Sequence, residues 1–124
     1  MRFLCLVVVD EKKLAGLSKK EAQELDDISL DHDEKLRKSG KFLAAAALEP
    51  VRASKIVRVK DGKVHVTDGP FAETKEQIGG FILIDAKDLN EAIELASKIP
   101  AGQRLGGILV RPVKELTHSG TPRP

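Results

Sequence analysis

His32 is the residue of this sequence best placed for acid–base chemistry. It lies in a predicted helix, where it forms a row with Leu25, Ile28 and Leu36 at spacings of three and four residues, and therefore lies on the apolar stripe of that helix. A buried neutral imidazole has one donor and one acceptor, and each requires a partner. Two interpretations stay open: a core histidine satisfied by a nearby carbonyl or carboxylate, or a general acid–base group that faces a pocket.

A polar segment that begins "DGPF" holds the second set of candidates. Asp68 accepts hydrogen bonds from backbone N–H groups, Gly69 permits unusual backbone angles and Pro70 favours a turn or a first helical position. The stretch "PFAETKEQ" then forms either a purely structural lid, with apolar contacts at Phe71 and Ile78, or a lid that binds a ligand through freed N–H groups and nearby charges. The predicted ligand-binding residues are Arg58, Gly69, Pro70, Phe71, Glu73, Lys75 and Glu76, and the predicted catalytic pair is His32 and Asp68.

We predict neither a metal nor a cofactor. His32, Asp68, Glu73 and Glu76 offer nitrogen and oxygen ligands, but the sequence shows no tight spacing such as His-x-x-x-His. A Ser-His-Asp order, a phosphate-binding loop and a dinucleotide fingerprint are also absent from the sequence. Arg58 and Arg111 lie on apolar strands, where each is either an anchor for an anion or a side chain whose charged end reaches water from an edge.

Composition excludes several classes of function. The 21 basic and 19 acidic residues give a net charge of +2, and the four Phe are the only aromatic side chains apart from histidine, so neither charge nor stacking favours nucleic acid. The apolar run 3–9 is too short to span a membrane and lacks the features of a secretion signal, so we predict a cytoplasmic protein. A single cysteine, Cys5, cannot form an internal disulfide.

The predicted elements are two β-α-β units separated by a hairpin. A capping box at Ser18 and Glu21 begins the first helix and Gly40 ends it, whereas Asp88 and Glu91 cap the second, which we expect Pro100 to end. That second helix should bury Leu89, Ala92, Ile93 and Ala96. The predicted strands are "RFLCLVVV", "KFLAAAAL", two runs around the Asp61-Gly62 turn, "GGFILID" and "GGILVRPV".

This order predicts an α+β, ferredoxin-like sheet with an inserted β-hairpin, as one domain over residues 1–115 with a flexible tail over 116–124. Two helices cover one face of such a sheet, yet the first strand is apolar on both: Phe3, Cys5, Val7 and Val9 alternate with Leu4, Leu6 and Val8. We therefore expect a homodimer through the uncovered sheet face.

Residues 58–85, with "DGPFAETKE" followed by "GGFILID", resemble the YCII-related family and specifically its DGPF-domain branch. The similarity extends to about Val113 and includes the later "VRPV". It implies a dimeric α+β barrel that encloses small pockets. It also implies a helix histidine paired with an aspartate, with His32 in the histidine position and Asp68 as our candidate for the aspartate, because the aspartate motif of the relatives does not align here.

These observations predict a small dimeric domain that binds a small molecule, with an anion as one candidate, in a pocket under the DGPF loop, where His32 and Asp68 supply acid–base chemistry. The alternative is a non-catalytic regulatory or ligand-sensing module, which the resemblance links to sigma-factor-dependent transcription. The sequence leaves open whether the protein is an enzyme.

Overall fold

The computed structural model describes residues 1–69 and 75–120. Its elements follow the predicted alternation of strands and helices, with two short helices in addition. In chain order they are β1 (Arg2–Asp10), α1 (Glu11–Ala15), α2 (Lys19–Lys38), β2 (Phe42–Ala47), a 3-10 turn (Val51–Ala53), β3 (Lys55–Lys60), β4 (Lys63–Asp68), β5 (Glu76–Asp85), α3 (Leu89–Ser97), α4 (Pro100–Leu105) and β6 (Gly106–Pro112).

Four of the strands form one antiparallel sheet in the order β2-β5-β1-β6, so the first strand of each β-α-β unit lies at the centre. Strands β3 and β4 form a separate two-stranded antiparallel sheet. This is the ferredoxin-like arrangement with an inserted hairpin, and the predicted fold class is confirmed.

The hydrophobic core lies between one face of the sheet and the helices. Phe3 and Cys5 of β1 are completely buried there, against Leu36 of α2 and Ala92 of α3. Side chains of the opposite face are half-buried or exposed, although they too are apolar. We call this second surface the open sheet face; it consists of Leu4, Leu6, Val8, Phe81, Leu83 and Leu109.

Helix α2 begins and ends as the sequence predicts. The Ser18 hydroxyl accepts a hydrogen bond from the Glu21 backbone N–H, and the Glu21 carboxylate accepts one from the Ser18 N–H, both at 3.0 Å. Gly40 follows the helix with φ of +79°, an angle that costs glycine little. The helix buries Leu25 and Leu36 against the sheet, which fixes the position of His32 between them.

Strand β5 begins earlier than predicted. It starts at Glu76, which pairs with Asp10 of β1, so Glu76 and Gln77 belong to the sheet and not to a lid. The register shifts by one residue near Gly79, where an added Cβ would lie 2.3 Å from Cγ2 of Val9. Glycine at this position therefore permits both a β-bulge and the close approach of Val9.

The second predicted helix differs in two respects. Ala92 and Ala96 are buried as predicted, but Leu89 and Ile93 are about half exposed, so the apolar stripe is narrower than the spacing suggested. Pro100 does not end α3; it opens the additional helix α4 at its first position, where a missing N–H costs nothing.

The capping pair of α3 is half formed. The Asp88 carboxylate accepts from the Glu91 N–H at 2.9 Å, whereas the Glu91 carboxylate accepts from the Lys87 N–H at 3.2 Å and from Lys41 Nζ at 2.9 Å. Glu91 therefore ties α3 to the start of β2 and does not close the reciprocal box predicted with Asp88.

The capping box of α2 makes a direct stability prediction. Ser18→Ala removes the acceptor for the Glu21 N–H, so we expect the free energy of unfolding to fall by about 1 kcal/mol. Chemical denaturation measures the change, with Ser18→Thr as the control that retains the hydroxyl. Equal losses in both variants would show that the cap contributes nothing to stability.

Candidate functional site

His32 is partly buried and lacks a hydrogen-bond partner at one ring nitrogen among the residues that the structure describes. Its side chain is 16% exposed, and its Nδ1 atom is inaccessible and forms no hydrogen bond. The nearest carboxylate oxygen is Oδ1 of Asp33 at 3.8 Å, which is too long for a hydrogen bond but close enough for an ion pair with a protonated ring. An unpaired buried nitrogen costs free energy, so a ligand that binds the His32 ring and gives this nitrogen a partner would remove that cost.

Asp33 is itself partly withdrawn from water. Burial raises the pKa of the Asp33 carboxyl above its ordinary value, and the positive charges available on His32 and Arg37 only partly oppose this shift. A carboxyl group of this kind holds a proton more readily than an exposed one. Asp33 is thus the carboxyl group next to His32, with Oδ1 at 3.8 Å from Nδ1.

His32 and Asp33 open on a cavity of about 470 Å³ between α2, β2, β5 and the start of α4. The volume is within the range of small-molecule sites. Small residues line one wall: Ala45, Ala46 and Ala47 of β2 lie beside Gly79 and Gly80 of β5, and the short alanine side chains leave the space. Gln23, Asp26 and Ser29 of α2 add polar groups, and the rest of the wall is apolar, so the cavity suits an organic molecule that presents a polar group to His32.

A second cavity, of about 390 Å³, lies between α2 and α4 and also reaches His32. Three cationic side chains line it, Lys35, Lys98 and Arg104, with Asp31 as the one anionic residue of the wall. Neither Lys35 nor Arg104 forms an ion pair with a described carboxylate. The surroundings of His32 on this side are therefore positively charged.

The predicted pair of His32 and Asp68 is not formed. Asp68 ends β4 with 83% of its side chain exposed and makes an ion pair with Lys55 on the neighbouring strand. This contact lowers the pKa of the Asp68 carboxyl, first through the hydrogen bond from Lys55 and then through its charge. The prediction was wrong because the hairpin holds Asp68 at its own root, whereas the carboxylate beside His32 is its chain neighbour Asp33.

Of the predicted ligand-binding residues, those that the structure describes do not line either cavity at His32. Arg58 pairs in register with His65 on the hairpin, and the Gly69 N–H donates to the Ser54 carbonyl at 2.9 Å. Lys75 lies near Asp10, with Nζ 3.7 Å from the carboxylate. Glu76 is on β5. Pro70, Phe71 and Glu73 lie outside the described residues.

Sequence reasoning missed Asp33, Lys35 and Arg104. Asp33 follows His32 directly, and its spacing gave no reason to prefer it to the other acidic residues of the helix. The signal for the cavity was present in the run of four alanines in β2: small side chains on an edge strand leave room against the facing helix.

Metal ligation and membrane crossing find no support in the described part of the chain. Within residues 1–69 and 75–120, no three His, Cys, Asp or Glu side chains converge as metal ligands would. No helix in the same part of the chain combines the length and the apolar character needed to cross a membrane.

The fold and the site together define a ferredoxin-like α+β domain with a cavity under its first long helix. The chain belongs to the YCII-related domain family, whose sequence profile matches residues 1–117. It is 37% identical over 115 residues to an uncharacterised protein of Rhizobium meliloti, an alignment that covers 91% of this chain and 92% of the relative. These matches confirm the family, while assignment to the DGPF branch stays a prediction.

The fold is also similar to a solved structure of 5-chloro-2-hydroxyhydroquinone dehydrochlorinase from Burkholderia phenoliruptrix, in complex with 2,5-dihydroxybenzoquinone. The TM-score is 0.53 at 16% identity, over 93% of this chain and 95% of that one. At this identity the similarity supports the fold class alone.

The raised pKa of Asp33 makes a prediction about pH. Because the folded-state pKa is raised, the wild-type protein loses stability as pH rises through it. An asparagine side chain cannot ionise, so the Asp33→Asn variant should escape this loss. We expect its melting temperature, relative to wild type, to increase between about pH 3 and pH 7.

Calorimetry across this range measures the difference, with Asp27→Asn on an exposed position of α2 as the control. A relative melting temperature that falls towards neutral pH would contradict the prediction, because it would mean that attraction to His32 outweighs burial.

Proposed function

We propose that this domain binds a small organic anion in the cavity beneath α2, with His32 as the acid–base group that contacts it. The observation that carries the proposal is His32 itself, which lines the cavity beside Asp33 and whose Nδ1 atom has no hydrogen-bond partner among the described residues. A ligand hydroxyl, carbonyl or carboxylate at this position would satisfy the nitrogen.

The two groups at the cavity fit a proton transfer. A neutral imidazole takes a proton from a bound molecule, and the Asp33 carboxylate at 3.8 Å stabilises the resulting imidazolium. Partial burial strengthens this attraction, because the charges are less screened than they would be in water. The pair of His32 with its neighbour Asp33 thus takes the place of the predicted pair of His32 with Asp68.

The cationic wall of the second cavity favours an anionic ligand. Lys35, Lys98 and Arg104 provide positive charge next to His32, and their exposure limits each contribution to the modest scale of surface ion pairs. The charges would therefore select among ligands of similar shape, while the apolar walls of the first cavity supply most of the affinity.

The dehydrochlorinase similar in fold was solved with dihydroxybenzoquinone, a six-membered ring with polar substituents. A molecule of that size is compatible with the cavity volume of about 470 Å³. A ring of this size with one carboxylate is accordingly a suitable first test ligand.

The homodimer through the open sheet face belongs to the same proposal. Its support is physical: a monomer would leave the apolar side chains of this face in contact with water, which a second copy would cover.

Benzoate and benzyl alcohol test the ligand class, since they have the same ring and differ in charge. We expect benzoate to bind with a roughly millimolar dissociation constant, and more tightly than benzyl alcohol. Lys35→Gln combined with Arg104→Gln should weaken benzoate binding by about threefold to tenfold and leave benzyl alcohol binding unchanged.

His32→Gln tests the acid–base group, because glutamine can hydrogen-bond but cannot titrate. Benzoate binding should be weaker in His32→Gln than in the wild type, because the amide cannot become a cation that attracts the carboxylate. His65→Gln on the exposed hairpin is the control and should behave like the wild type. Benzoate binding of equal strength in His32→Gln and in the wild type, or none at millimolar concentration, would contradict the proposal. Binding without turnover of any screened compound would favour the ligand-sensing alternative over an enzyme.

A further inference from the structure

The inserted hairpin is amphipathic, and its apolar side faces away from its own chain. Val57 pairs with Val66 and Val59 with Val64, so all four side chains project from the same side, which we call the valine face. They are 59–68% exposed. The Lys55–Asp68 ion pair lies on this side at the root of the hairpin.

The other side of the hairpin is mainly polar. Arg58 pairs with His65 and Ile56 with Thr67, and Lys60 and Lys63 follow at the turn. A strand pair that is polar on one side and uniformly valine on the other is the pattern of a ribbon with one side in water and one side buried.

The described part of the chain provides no cover for the valine face. The two strands form their own sheet, and the backbone hydrogen bond at their base runs from Gly69 to Ser54 within the same insertion. A two-stranded hairpin is at best marginally stable in water without something to pack against. Six residues per strand extend it by about 20 Å, long enough to reach a neighbouring molecule.

We infer that the valine face docks on the open sheet face of a second copy of this chain. Both surfaces occur in every copy, so a twofold axis lets each hairpin cover the sheet of the other copy in one closed assembly. An unrelated partner would cover one surface and leave the other in water.

The area supports this assignment. Four valines at this exposure offer on the order of a few hundred Å², about the size of the largest apolar patch on an ordinary monomer. A standard interface buries roughly 800 Å² per copy. The valine face alone is smaller than this, but the valine face and the open sheet face of each copy together provide an area of that size. The rim of that face is polar, with an Arg2–Glu115 ion pair and with Arg111, as interface rims are.

This inference extends the proposed homodimer and does not depend on ligand binding at His32. Val57→Lys combined with Val64→Lys places two charges on the valine face, at positions that are not directly opposite each other. Light scattering over a concentration series should show a dimer for the wild type and at least a tenfold weaker dimer for this variant. His65→Lys combined with Thr67→Lys adds the same charge to the polar side and should leave the dimer unchanged.

Because lysines could also unfold the hairpin, Val57→Thr combined with Val64→Thr serves as a second variant that keeps β-branched side chains. It should weaken the dimer in the same direction while far-ultraviolet circular dichroism stays unchanged. A dimer of unaltered strength in both variants would overturn the docking of the hairpin and leave the sheet-face dimer standing. A wild type that is monomeric at all concentrations would overturn both and leave ligand binding at His32 untouched.

A spin label identifies the surface that the hairpin covers. Burial raises the pKa of the Cys5 thiol to about 11, so a nitroxide reagent at neutral pH should select Thr67→Cys on the polar side. In a mixture with unlabelled ¹⁵N protein, amide signals of the open sheet face around Leu6 and Leu109 should weaken in the ¹⁵N copy. Weakening confined to the hairpin of that copy, or none at all, would overturn the inference.

Discussion

The four-stranded sheet is apolar on both faces, but the buried side chains of α2, α3 and α4 pack on only one of them. Both the cavity at His32 and the open sheet face follow from this difference between the two faces. On the covered face, the packing of Leu25 and Leu36 fixes α2 along the sheet and holds His32 over a gap. On the uncovered face, the same strands expose leucine and phenylalanine side chains, which require a second surface to remove them from water.

The gap under α2 exists because of side-chain size. The alanines in β2 leave a volume that larger residues would fill, and the core elsewhere is closed around Phe3, Cys5 and Ile84. A cavity beside an unsatisfied imidazole is unfavourable for folding, since both the missing packing contacts and the missing hydrogen bond cost free energy. Structures keep such features where a ligand restores what is missing, and this is the physical basis for placing the function there.

The sequence predicted the fold better than the site. Alternating strands, the capping box at Ser18 and the Asp61-Gly62 turn are local signals, and the turn indeed has φ angles of +51° and +74°. His32 was identified because helical spacing is regular enough to place a residue on a buried face. Its partner was assigned incorrectly because contact between distant segments depends on where the hairpin projects, which no local pattern encodes.

The same limit explains the other errors. Half exposure of Leu89 and Ile93 depends on which side of α3 packs against β6, and the new helix at Pro100 depends on packing of α4 against β1 and β6. The cationic residues around His32 come from α2, from the end of α3 and from α4, which are brought together only by folding.

The imidazole nitrogens of His32 offer the most direct test of the central claim, because the claim concerns one atom. Long-range ¹H–¹⁵N correlation spectra of uniformly labelled protein resolve Nδ1 and Nε2 of each histidine, and benzoate can be added to saturation. We expect the His32 Nδ1 resonance to shift with a saturable dependence on benzoate while both nitrogens of His65 stay in place. A His32 Nδ1 resonance that does not move while benzoate binding is detected elsewhere in the protein would contradict the assignment of the functional site to this cavity.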